Sequence, residues 1–145
     1  HIGWAKPVPI NAAYFANPRK GLFLVSIAGP AANFLLAFAF ALLFRMVAPP
    51  AGLTGFAGLN PVQYMFLIGV IVNIGLGIFN LLPIPPLDGS NILIGLLPPR
   101  LGNLLIQYQT YGFLILVGFL IVLFASDVPL IAPIINKLTL FLIPG

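Results

Sequence analysis

The chain has 145 residues, of which 61% are hydrophobic and 6% are charged, with a formal net charge of +4 and no cysteine. Six basic and two acidic side chains cannot cover a soluble body of this size, so the composition excludes an ordinary water-soluble domain and requires a surface that faces lipid. The basic residues Lys6, Arg19, Lys20, Arg45, Arg100 and Lys137 are scattered, which excludes a nucleic-acid interface and reads them as membrane-topology determinants; the missing thiols exclude disulfides and thiolate metal sites.

Residues 1–20 carry three prolines, two asparagines and three of the six basic residues, and so are expected to be an extended interfacial segment rather than a span. Pro7 and Pro9 favour β or polyproline geometry before them, which predicts an edge-like strand over Trp4 to Ile10. Lys6 to Ile10 could add a strand to an unwound substrate segment, or could equally be a surface loop. Nothing here has the form of a signal peptide. Residues 21–47 form the first predicted transmembrane helix, interrupted only by Ser26, Gly29-Pro30, Asn33 and Arg45. Its length exceeds a hydrocarbon layer of about 30 Å, and Pro30 should kink it or mark its true start. A loop rich in proline and glycine follows from Ala48 to Pro61.

Residues 64–82 are the second predicted span, with small residues at Gly69, Gly75 and Gly77 and polar ones at Asn73 and Asn80. A helix cannot run through Pro85-Pro86, so residues 83–100 are expected to be a broken segment with a half-helix restarting near Asp88. Residues 104–125 are the third predicted span. The tail, 128–145, is apolar but interrupted by Pro129 and Pro133, and is expected to lie at the interface. The predicted fold class is therefore an all-α polytopic membrane protein with about three transmembrane helices and a proline-broken half-helix, in a single membrane domain covering 1–145. Basic residues in short loops place Lys6, Arg19, Lys20 and Arg100 on one side, expected to be cytoplasmic, with Arg45 and Lys137 opposite. Asp88 then lies near the cytoplasmic side.

Asp88 is one of only two acids, and it sits between apolar runs at a break in the helix. A carboxylate at membrane depth costs a few kcal/mol or more unless it is paired, solvated or metal-bound, and irregular backbone there is tolerated only in protein or beside a watery cavity. A helix-capping role for Asp88 and a functional one are both open on spacing alone. The other acid, Asp127, reads as a solvated residue at a helix end. For Asn33 and Asn80 the plain alternative to a site role is a hydrogen bond to a neighbouring helix.

Asn80-Leu-Leu-Pro-Ile-Pro-Pro-Leu-Asp88-Gly89 resembles the N-x-x-P-x-x-x-L-D-G motif of the site-2 protease family, and Gly29-Pro30-Ala31-Ala32-Asn33 resembles its G-P-x-x-N motif. Gly3 to Asn11 is similar to the segment upstream of that second motif in compact, prokaryotic-type members. The resemblance implies an intramembrane zinc endopeptidase acting on a transmembrane protein substrate, with one zinc held by the two histidines of an H-E-x-x-H helix and by the aspartate of L-D-G. It implies that Asp88 is the third zinc ligand and that Asn80 and Asn33 are polar groups near the substrate or the developing oxyanion.

No H-E-x-x-H occurs in the chain, and His1 is its only histidine. The chain is accordingly expected to be a C-terminal portion with an incomplete zinc site and no catalytic residue of its own. Its expected partners are the lipid bilayer and the missing N-terminal helices or an oligomer partner. The alternatives are a non-catalytic pseudoprotease scaffold and a cation-binding transporter fragment. The expected location is a prokaryotic cytoplasmic membrane.

Overall fold

A computed structural model describes residues 18–47, 58–126, 129 and 131–143. The expected extended run at Trp4 to Ile10, most of the 48–61 loop and Asp127 lie outside the described residues. Within them the fold is entirely helical: α1 (Pro18–Val47), α2 (Pro61–Asn80), α3 (Asp88–Leu96), α4 (Pro99–Gln109), α5 (Gly112–Ala125) and α6 (Ala132–Leu142). Two helices, α1 and α2, are long and apolar enough to cross a membrane, and α4 with α5 gives a third candidate as a bent pair. This is a membrane protein of two to three candidate spans.

At 1.5 Å per residue α1 is about 45 Å long and α2 about 30 Å, so α2 matches the hydrocarbon layer while α1 outruns it. The helix α1 does not start at Pro30 but passes through it. Proline inside a helix removes one main-chain bond, the one its amide would donate to the carbonyl of Ser26. The loss is local, and the helix survives because both flanks are long and apolar. The start of α2 is specified locally: Asn60 accepts from the Gln63 amide, Gln63 Oε1 accepts from the Asn60 amide, and Pro61 occupies the first turn. Gln63 also donates through Nε2 to the Val47 carbonyl at 2.7 Å, closing the far end of α1.

The helices α1 and α2 are antiparallel and packed through small residues. A Cβ at Gly69 would lie 2.8 Å from the Phe40 ring, and one at Gly77 would lie 2.9 Å from the Phe34 ring. Each phenylalanine thus fills the space a glycine leaves, which brings the two backbones close. Ala37, Ala41 and Phe44 of α1 and Leu67, Val70 and Ile74 of α2 form a buried cluster that Ile143, just after α6, completes. The order of these pairs shows the direction: higher numbers in α2 meet lower numbers in α1. The helix α3 continues the same descent, with Asp88 against Gly29 and Gly95 against Phe23. Together α2, the break at residues 81–87 and α3 line α1 along most of its length.

Residues 104–125 differ from the single helix expected. They belong to α4 and α5, which meet at Thr110 and Tyr111 with a bend of 80°. The reason is visible in the residues at the joint. Gln107, Gln109 and Thr110 are polar, and Gln109 Nε2 donates to Asn91 Oδ1 at 2.6 Å, holding the end of α4 on α3. Gly112 packs on Pro85, where a Cβ would approach the proline ring to 2.7 Å. In the tail, α6 has 11 residues, about 16 Å, which is too short to cross a membrane.

Candidate metal and substrate site

The site is built on the break between α2 and α3. After Asn80 the chain turns through Leu81 to Leu87, held by short-range bonds from Leu82 N to Phe79 O, Ile84 N to Leu82 O and Leu87 N to Ile84 O. The Pro85-Pro86 peptide is cis. Three prolines in this stretch donate no amide hydrogen, so main-chain bonding alone cannot continue the helix. Leu87 is the N-cap of α3, Ser90 Oγ donates to the Leu87 carbonyl at 2.8 Å, and Asp88 is the first residue of the new helix.

Gly89 permits this sharp return. Any Cβ at position 89 would collide with the main-chain carbonyl oxygens of Leu81 and Leu82, so the first turn of α3 lies directly on the end of α2. The Leu-Asp-Gly sequence thus has a plain structural division. The leucine is buried, the glycine allows backbone contact, and the aspartate between them is turned toward α1.

Asp88 meets the other motif there. Its Oδ2 lies 2.6 Å from where a Cβ of Gly29 would be, so the carboxylate occupies a notch in α1 that any other residue at position 29 would fill. The notch is about 16 Å along α1 from its first residue, at membrane depth. Asp88 does not cap α3 with its side chain. Among the described residues its carboxylate makes no hydrogen bond and no ion pair. It nevertheless stands at the positive end of α3, where a negative charge is favoured.

Asn33 lies one turn beyond Gly29 on α1, and Asn80 is the last residue of α2. Both are half-buried, and neither side chain hydrogen-bonds to a described residue. Asn80 directly precedes Leu81, whose carbonyl Gly89 packs against, and neither asparagine hydrogen-bonds to Asp88. Asn73, by contrast, is satisfied within its own helix, donating to the Gly69 carbonyl at 2.8 Å. Ser26, one turn before Pro30, is buried, and its hydroxyl has no partner among the described residues. Sequence reading treated Ser26 as a mere interruption. The signal available was its spacing of four from Pro30, which also deprives its carbonyl of the usual donor.

A hard carboxylate oxygen held in a notch without a competing partner among the described residues suits one ligand position of a zinc ion. The described residues supply only that one, because no three His, Cys, Asp or Glu side chains come together among them. A complete zinc site needs ligands beyond the described residues.

Comparison with known proteins gives the family of the chain. Residues 46–125, more than half of the chain, match the model of Peptidase family M50. The chain is 42% identical over 116 residues to "Putative zinc metalloprotease YwhC" of Bacillus subtilis, covering 79% of this chain and 52% of that protein. It is 36% identical over 98 residues to "Putative zinc metalloprotease Rip2" of Mycolicibacterium smegmatis, covering 68% of this chain and 35% of that one. The chain thus spans about half the length, or less, of these relatives. No solved structure matches it significantly. With the two motifs joined at Asp88 and Gly29, and with more than half of its length matched, the chain belongs to Peptidase family M50, the family of the site-2 proteases.

Proposed function

We propose that these 145 residues are the C-terminal part of an intramembrane zinc endopeptidase that cleaves transmembrane protein substrates, and that Asp88 is the third ligand of its zinc. The observation that carries this reading is the seating of the Asp88 carboxylate in the Gly29 notch, which unites the two motifs at membrane depth. Zinc, when bound, supplies Lewis-acid activation for peptide hydrolysis. The two remaining ligands and the general base come from an H-E-x-x-H helix in the longer protein, consistent with a relative twice as long as the matched region. Asn33 and Asn80, whose side chains make no hydrogen bond among the described residues, bind the main chain of an unwound substrate or the developing oxyanion.

The protein resides in a bacterial cytoplasmic membrane with the Asp88 end of α3 toward the cytoplasmic half. Arg19, Lys20 and Arg100 gather at one end of the bundle, since Arg19 bonds the carbonyl of Pro99 at 3.2 Å. Arg45 marks the other end, where its Nε donates to the Leu142 carbonyl at 3.1 Å. An Arg100→Cys variant in intact cells should resist a membrane-impermeant maleimide, and rapid labelling would reverse the orientation.

The decisive test compares the 145-residue chain with the full-length protein in detergent. The chain alone should hold no stoichiometric zinc and cleave nothing. The full-length protein should do both and lose both on Asp88→Ala. Retention of zinc and proteolysis by that variant would refute the assignment. A correctly folded full-length protein that lacks zinc and H-E-x-x-H would make the chain a non-catalytic scaffold.

A further inference from the structure

We propose that Arg19 is a positioning residue for Asp88: its guanidinium clasps the C-terminal end of α3 to α1 and so sets the register that seats Asp88 in the Gly29 notch. This inference rests on the reading of Asp88 as a zinc ligand. Arg19 stands near the start of α1 and reaches three acceptors across the bundle. Nη1 donates to the Leu97 carbonyl at 3.3 Å, and Nη2 donates to the Pro99 carbonyl at 3.2 Å and to Asn103 Oδ1 at 3.4 Å.

The physical need for the clasp lies in the sequence after α3. A helix leaves its last carbonyls without intrahelical donors, and these are usually met by the amides of the following residues or by solvent. Here the following residues are Pro98 and Pro99, which have no amide hydrogen. Arg19 supplies a donor to the Leu97 carbonyl at the C-cap of α3, and its bonds to the Pro99 carbonyl and Asn103 Oδ1 tie the start of α4 to the same guanidinium. Gly102 makes the path. A Cβ there would lie 2.5 Å from Arg19 Nη2 and 3.3 Å from the Ile94 carbonyl, so a side chain at 102 would displace the guanidinium.

The consequence for Asp88 follows from the shortness of α3. Its nine residues, about 13 Å, form one rigid rod with Asp88 at one end and the Arg19 clasp at the other. Arg19 and Gly29 both belong to α1, so α1 grips the rod at both ends, with Gly95 against Phe23 between them. Releasing the Arg19 end leaves the rod free to slide or tilt, which carries the carboxylate out of the notch. A topology charge needs only to be at the correct end of a helix; this arginine has directed bonds that a lysine can match only in part.

The test uses the full-length protein and two readouts. The first is zinc affinity, measured with a competing chelator. The second is docking of α3, reported by disulfide formation between Phe23→Cys and Gly95→Cys. A Cβ at position 95 would lie 2.7 Å from the Phe23 Cβ, so the pair bonds after a relaxation of about 1 Å. Arg19→Gln should lower zinc affinity by about 10- to 100-fold, the range for residues that orient a ligand, and should slow the crosslink several-fold. Gly102→Val, which keeps the arginine but blocks its path, should reproduce both effects, and Arg19→Lys should recover part of each. If Arg19→Gln leaves zinc affinity unchanged while Asp88→Ala abolishes binding, the positioning role is wrong and the ligand assignment stands. If Asp88→Ala itself leaves zinc binding unchanged, the ligand assignment falls, and with it the role given to Arg19.

Discussion

The helices α2 and α5 are alike in composition and opposite in circumstance. Both are apolar and carry glycines, yet Gly69 and Gly77 of α2 are each filled by a phenylalanine of α1, whereas a Cβ at Gly118 of α5 would meet nothing within 4 Å. The helix α2 buries Leu67, Val70, Ile74 and Gly77 along one face; α5 buries only Gly112, where it abuts Pro85. The contrast separates a core, α1 to α3, that holds Asp88 from an arm, α4 and α5, that is joined to the core through Arg19, Gln109 and Gly112. It teaches that apolar composition brings a helix into the membrane, while small residues matched to large ones decide which helices lock together.

Substitutions can break this contrast in graded steps. The largest effect is expected at Gly89→Ala, where the new methyl would strike the Leu81 and Leu82 carbonyls. Backbone has little room to yield, so a loss of about 3 kcal/mol in detergent unfolding is expected. Stability equal to that of the parent would mean that α3 does not lie on the end of α2. Gly29→Ala comes next and should separate function from fold. Alanine favours the α1 helix by up to about 1 kcal/mol, but its Cβ would displace the Asp88 carboxylate. The full-length variant should therefore fold as well as the parent and bind zinc at least tenfold more weakly, as chelator competition would reveal.

Gly77→Ala is expected to cost about 1 kcal/mol, because the Phe34 ring can shift where a carbonyl cannot. Gln63→Ala, which removes both the α2 capping box and the bond to Val47, should cost a similar 1 kcal/mol. The smallest effect is at Gly118→Ala in the arm, where thermal unfolding should be unchanged or raised by up to about 1 kcal/mol. A clear loss there would mean that α5 packs as tightly as α2 and would erase the distinction between core and arm.

Much of the fold was legible along the chain because its physics is local. Long apolar runs announced α1 and α2, and the prolines at 83, 85 and 86 announced the break with a helix restarting near Asp88. The bend in residues 104–125 was missed. Hydrophobic length counts residues and takes no account of a partner such as Asn91, which lies in another helix and holds Gln109. Of the two readings of Pro30, a kink or a true start, the structure removes the second, since α1 begins at Pro18 and runs through Pro30.

By itself, the sequence determined that this protein lives in lipid and that Asp88 is its exceptional residue, because composition and an isolated carboxylate are properties of the chain alone. Only the tertiary structure decided that Asp88 rests in the space left by Gly29, that its carboxylate does not cap α3, and that Arg19, which reads as a topology charge, grips the far end of α3. These contacts join residues 59 and 78 positions apart. No local rule of spacing connects them; they arise when α1 and α3 pack side by side and the geometry of two helices selects which residues meet.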